Sequence, residues 1–184
     1  MLRNAIELWL AFLAAFLVTG LYALVAVFTR GIPPASDFFG HGMGIVGFIL
    51  MLMTETLYSI RKRMRSASWG RMAIWLKFHI FTGLVGPYMV LLHTSWKFNG
   101  LAGVTTLLTV VIVISGFVGR YIYTRIPRTA DGIEMTDSLS AEALKQARRL
   151  MSLWHTIHIP IGMALFTAAF VHIGAALYYA TFLH

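Results

Sequence analysis

Seven histidines are the residues of this chain best suited to chemistry, and four of them are regularly spaced. His79 and His93 are fourteen residues apart in one apolar stretch, and His158 and His172 are fourteen apart in another. In an α-helix fourteen residues make about 3.9 turns and rise about 21 Å. Each pair therefore lies on one face of its helix at two depths. Two such helices facing each other would form two histidine pairs, one above the other.

Two histidines that face each other across a helical bundle suit a flat metal macrocycle. Haem iron takes one axial nitrogen from a neutral imidazole on each side. Hydrogen bonding between helices is the alternative, but it gives no reason for matched depth. We therefore predict that His79 pairs with His158, and His93 with His172, as ligands of two haems about 20 Å apart.

Two further histidines leave alternatives open. His155 competes with His158 as a ligand, but its seventeen-residue spacing to His172 turns it about 100° off that face, so His158 is preferred. His155 could instead contact a haem propionate or a quinone, or lie among lipid headgroups. His41 is expected at the level of His93 and His172, as an interfacial residue or with a role in quinone chemistry or in binding an extra haem.

Small and basic residues near the histidines complete the candidate site. Gly83 and Gly86 lie between the first two histidines, where they would let a ring or a neighbouring helix approach closely. The motif HGMGIVG at residues 41–47 contains a formal G-x-G-x-x-G, but it opens an apolar span and follows no strand, so we assign it no dinucleotide role. The basic candidates for pairing with propionates are Lys77, Arg71, Arg148 and Arg149 at one level, and Lys97 and Arg30 at the other.

The composition indicates an integral membrane protein. Of 184 residues, 58% are hydrophobic and 12% are charged, and the mean hydropathy is +0.74. A soluble domain has about twice this charged fraction. Continuous apolar runs predict spans at roughly 5–28, 38–60, 72–97, 101–124 and 150–181. Together they predict one all-α transmembrane domain over residues 1–184. The first run is too long for the core of a signal peptide, so we expect it to be retained.

The absence of cysteine and the placement of the basic residues exclude several kinds of site and binding surface. The chain has no cysteine, which excludes disulfides, cysteine-ligated iron–sulfur clusters and covalently attached c-type haem. The net charge is +8, but the basic residues lie at span ends. This placement indicates cytoplasmic loops facing anionic lipid and not a nucleic-acid-binding surface.

Basic residues also predict the orientation, because they alternate between loops. The second loop, counted through Arg71, has five Lys or Arg, and the fourth loop with its flanks has six, whereas the first and third have one each. The positive-inside rule then puts the N-terminus in the cytoplasm and the C-terminus outside, across the cytoplasmic (inner) membrane of the cell. His79 and His158 would share the cytoplasmic level, and His93 and His172 the outer level.

The paired fourteen-residue spacing on two helices resembles the bis-histidine pattern of di-haem membrane cytochromes b. This broad group includes cytochrome b561, ferric-reductase-like proteins and the b-type membrane subunits of respiratory oxidoreductases. The resemblance covers mainly the third and fifth spans, about a third of the chain. It implies two non-covalent haems b and electron transfer across the membrane.

The loops are too short to hold a flavin or iron–sulfur domain. We therefore expect one subunit of a larger oxidoreductase, which exchanges electrons with a partner subunit and with quinone. Two alternatives remain. One is a transmembrane ferric or other metal reductase without quinone. The other is a non-redox transporter of a metal ion, which would favour histidines clustered with carboxylates or methionines at one depth.

The predicted orientation can be tested directly, because a chain without cysteine allows single-cysteine labelling. We expect Asn99→Cys to react with a membrane-impermeant maleimide in intact cells. Lys62→Cys should react only after the cytoplasmic face is opened. The opposite pattern would reverse the topology and exchange the two histidine levels.

Overall fold

The computed structural model describes residues 5–63, 70–126 and 141–182. These residues form five long helices and, within the described ranges, no strand. The helices are α1 (Ile6–Phe28), α2 (Phe38–Arg63), α3 (Met72–His93), α4 (Gly100–Thr124) and α5 (Ala141–Phe182). All five are long and apolar enough to cross a membrane. The predicted all-α class with five membrane-spanning helices is thereby confirmed.

The end of α3 differs from the predicted span. The helix ends at His93, whereas the span was expected to continue to about residue 97. Ser95 and Trp96 adopt left-handed backbone conformations, with φ of 49° and 62°. The Ser95 hydroxyl also donates a hydrogen bond to the carbonyl oxygen of Pro33 at 2.6 Å. This turn therefore stops the helix at the histidine and ties it to the segment before α2.

The sequence also predicts an amphipathic segment that leads into the last span, with Ser140 as its N-cap, and the start of α5 agrees with such a segment. The helix is continuous over 42 residues, from Ala141 to Phe182, with Glu142 in its first turn. Leu144 is buried, and Lys145, Arg148 and Arg149 are exposed. The predicted N-cap, Ser140, lies outside the described residues.

The chain forms two compact units. In the first unit, α3 packs against both α1 and α2, and the hydroxyls of Thr19 and Tyr88 form a hydrogen bond from α1 to α3. In the second unit, α4 packs against α5. His79 and His93 belong to the first unit, and His158 and His172 belong to the second.

Glycines bring α2 and α3 together. A Cβ atom on Gly86 would lie 2.9 Å from the carbonyl oxygen of Gly47 and 3.0 Å from Cγ of Met51. A Cβ atom on Gly47 would lie 2.9 Å from the carbonyl oxygen of Gly86. Small residues at such contacts let helix backbones approach closely. The buried cluster of this unit comprises Ala11, Met43, Val85, Met89 and Leu92.

This contact predicts that Gly86→Ala destabilises the protein. The added methyl group would meet backbone atoms of α2 that cannot move without separating the helices, so we expect a loss of about 1–3 kcal/mol in the free energy of unfolding. Gly20→Ala is the control, because a Cβ atom there meets nothing within 4 Å. Thermal unfolding in detergent should show a lower midpoint for Gly86→Ala alone. Equal midpoints would contradict the close packing.

Candidate functional site

His93 is anchored to the backbone of α2. Its Nδ1 lies 2.8 Å from the carbonyl oxygen of Gly40. A carbonyl oxygen can only accept, so Nδ1–H is the donor and the lone pair of the neutral ring lies on Nε2. The imidazole is thus held in the tautomer that binds a metal through Nε2.

His79 is anchored in the same way. Its Nδ1–H donates to the carbonyl oxygen of Thr54 at 2.9 Å. The hydroxyl of Thr54 donates to that of Thr82 at 2.7 Å, which links α2 to α3 beside the ring. The ring of Tyr58 lies 5.0 Å from that of His79, centroid to centroid. Thus α2 contributes both the acceptor and an aromatic neighbour.

The two anchors share one antiparallel register. Fourteen residues separate the histidines on α3, and fourteen separate their acceptors, Thr54 and Gly40, on α2. Midway between them, seven residues from each end, is the contact between Gly47 and Gly86. A seven-residue period keeps successive contacts on one seam of a helix pair. The expectation that both α3 histidines lie on one face is therefore confirmed, and that face meets α2.

The start of α2 forms a recess for the ring of His93. A Cβ atom on Gly44 would lie 2.8 Å from Nδ1 of His93, so only glycine leaves room for the ring there. His41 lies beside it, with its ring centroid 6.3 Å from that of His93 in an edge-to-face arrangement. This agrees with the expected nearness of His41 to His93. In the HGMGIVG motif, Gly44 forms this recess and Gly47 contacts α3, whereas a Cβ atom on Gly42 would meet nothing within 4 Å, so close packing does not explain Gly42.

His158, in the second unit, is held by residues of both helices. Its Nδ1 lies 2.9 Å from the hydroxyl oxygen of Ser115 on α4. The indole of Trp154 stacks on the His158 ring, with centroids 4.4 Å apart and planes 30° apart. The same indole is 4.8 Å from the ring of His155, tilted by 51°. The two α5 histidines that compete as the predicted ligand, His155 and His158, therefore both contact Trp154.

The remaining candidates occupy several environments. His172 is half-buried on α5. The space beside Gly86 is filled by α2. A Cβ atom on Gly83 would lie 3.3 Å from Cγ2 of Thr54. These glycines were expected to let either a ring or a neighbouring helix approach closely. The structure shows the approach of a neighbouring helix. Lys77 is half-buried two residues before His79, while Arg71 precedes α3 and Lys97 follows its terminal turn, both exposed.

Two acidic residues of the first two helices differ in burial. Glu55 lies well inside α2, and its side chain is exposed. Glu7, in the first turn of α1, is only 3% exposed. The sequence reasoning did not single out Glu7, because a residue near a span end resembles an interfacial one.

The donor chemistry of His79 and His93 suits axial ligation of a metal. Neutral imidazoles with Nδ1–H bound to carbonyl oxygens present Nε2 as the basic nitrogen, and such bonds increase ligand basicity. No group of three or more His, Asp or Glu side chains suited to one metal ion is formed within the described parts of the chain. Axial ligation requires only two histidines, so it does not depend on such a group.

Five residues that shape the site were not found from the sequence. They are Gly40, Gly44, Thr54, Ser115 and Trp154. Two of them act through backbone carbonyls, which every residue type carries, so their identity gave no signal.

The chain was compared with protein-family models, curated proteins and solved structures, and it matches none of them.

The recess around His93 predicts different effects for two neighbouring glycines. Gly44→Ala should displace the ring and weaken its bond to Gly40, because the new methyl group would overlap the imidazole. Gly42→Ala, in the same helix, should leave the ring in place. With ¹⁵N-labelled histidine, the Nδ1–H resonance of His93 should be lost or exchange-broadened only in Gly44→Ala. An unchanged resonance in that variant would contradict the recess.

Proposed function

We propose that this protein is a b-type cytochrome that carries electrons across a membrane through two haems. His93 and His172 would hold one haem, and His79 and His158 the other. When bound, haem supplies reversible one-electron chemistry at iron. The protein would be one subunit of a quinone-linked oxidoreductase in the cytoplasmic membrane, and would exchange electrons with a partner subunit and with quinone.

The anchoring of the two α3 histidines is the observation that carries this proposal. Both Nδ1–H groups donate to α2 carbonyl oxygens, at 2.9 Å and 2.8 Å, so both rings have the tautomer that ligates through Nε2. Hydrogen bonding between helices, the alternative, would use these same two bonds, but it assigns no role to the Nε2 atoms that they leave as the basic nitrogens. Two identical anchors fourteen residues apart, with the same spacing repeated on α5, support two metal sites at two depths.

The other residues have supporting roles. Gly44 makes room for one ligand ring, and the bond between Thr54 and Thr82 ties the helices together beside the other. Lys77 is close enough in sequence to His79 to pair with a propionate at the same level, and Lys97 could do so beyond His93.

The first experiment measures haem in the purified protein. We expect about two non-covalent haems b per chain, with b-type absorbance changes on reduction. His93→Ala and His172→Ala should each leave about one haem, and both should remove the same spectral component. His79→Ala and His158→Ala should remove the other component. A protein without extractable haem would overturn the proposal, and unchanged haem content in all four variants would overturn these ligands.

A second measurement distinguishes the electron donors and acceptors. If the cytochrome is quinone-linked, a short-chain quinol should reduce at least one haem of the purified protein within seconds, or an added quinone should reoxidise it. A haem that reacts with ferric chelates and with neither form of quinone would identify the protein as a metal reductase. Dithionite reduction is the control for the total reducible haem.

A further inference from the structure

Ser115 and Trp154 form a structured environment around one of the two candidate cytoplasmic ligands. We propose that these residues position His158 as the ligand and control the properties of the cytoplasmic haem alone. This inference rests on the proposed function. It also commits to His158 over His155, because the hydrogen bond to Ser115 is made by the His158 ring.

Trp154 is held in a fixed position by α4. Its Nε1–H donates to the carbonyl oxygen of Ser115 at 2.7 Å and lies 3.2 Å from the hydroxyl oxygen of the same residue. Its six-membered ring occupies the space beside Gly119, where a Cβ atom would overlap the indole. The indole is therefore fixed at one end by a hydrogen bond and along its side by the backbone of α4.

On each of α4 and α5, two residues that are four positions apart form the contacts between the helices. Ser115 and Gly119 lie on one face of α4, and Trp154 and His158 lie on one face of α5, because residues four apart are neighbours on a helix surface. Gly119 meets Trp154, and Ser115 meets His158. The antiparallel pair thus places the imidazole between the indole and the serine hydroxyl.

The position of the proton on the His158 ring follows from metal ligation. An imidazole that binds iron through Nε2 carries its proton on Nδ1, so the 2.9 Å bond to Ser115 runs from Nδ1–H to Oγ. An acceptor at this position makes the ligand more basic and orients the ring. Greater basicity stabilises ferric over ferrous iron and lowers the reduction potential of the haem.

Among His79, His93 and His158, only His158 has an Nδ1 partner that a side-chain substitution can remove. His79 and His93 donate to backbone carbonyls, which substitution does not remove. His158 donates to a hydroxyl, which Ser115→Ala removes while leaving the carbonyl anchor of Trp154 intact. This variant should keep the helix pair folded and change only the ligand.

The experiment compares three variants of the haem-loaded protein. Ser115→Ala should raise one of the two haem midpoint potentials, change the low-spin EPR signal of the same haem and weaken its retention by about 10- to 100-fold. Ser115→Thr keeps a hydroxyl and should restore wild-type values. Ser152→Ala makes the same chemical change at an exposed position on α5 and should have no effect.

Removing the ligand itself completes the test. His158→Ala should abolish the component that Ser115→Ala shifts, while His155→Ala should leave both haems in place. If Ser115→Ala leaves both potentials and both EPR signals unchanged in a two-haem protein, or if His155→Ala abolishes the component, the positioning role is wrong. A wild-type protein without haem would instead overturn the proposed function.

Discussion

A hydrogen-bond donor within the hydrocarbon of a membrane must find an acceptor inside the protein, and the α3 histidines meet this requirement with the backbone of α2. A helical carbonyl oxygen has two lone pairs, so it can accept an imidazole N–H and keep its place in the helix. Because the acceptors are backbone atoms at Gly40 and Thr54, the two bonds also determine the register of α2 against α3. The contact between Gly47 and Gly86 halfway along determines how closely the two helices approach.

The second unit meets the same requirement with different chemistry. There the imidazole nitrogen bonds to a hydroxyl, and an indole lies against the ring. In both units a glycine on the neighbouring helix makes room for an aromatic ring: Gly44 for His93 and Gly119 for Trp154. A methyl group at either position would displace a ring that the proposed function requires to be held in place. Glycine is therefore needed at these positions for side-chain space, and not for an unusual backbone conformation.

Under the proposed function, anchoring Nδ1 would have a direct consequence for electron transfer. A ring that is already in the ligating tautomer requires little rearrangement when iron is bound, and a ring with restricted rotation keeps its geometry in both oxidation states. Low reorganisation favours rapid one-electron transfer. The proposed ligands are carried by α3 and α5, whereas their hydrogen-bond partners are carried by α2 and α4. Ligation and orientation are thus divided between neighbouring helices within each unit.

The sequence by itself determined the five spans and the face shared by His79 and His93. Apolar length and helical period are local properties that neighbouring residues specify without tertiary contacts. The tertiary structure alone decided which atoms hold the histidines, because the acceptor of His93 lies 53 residues away in the chain and is a backbone carbonyl with no sequence signature. It also decided that α3 ends at His93, through the bond from Ser95 to the distant Pro33. Such contacts depend on how helices pair in space. Hydropathy and residue spacing along one helix do not specify that pairing.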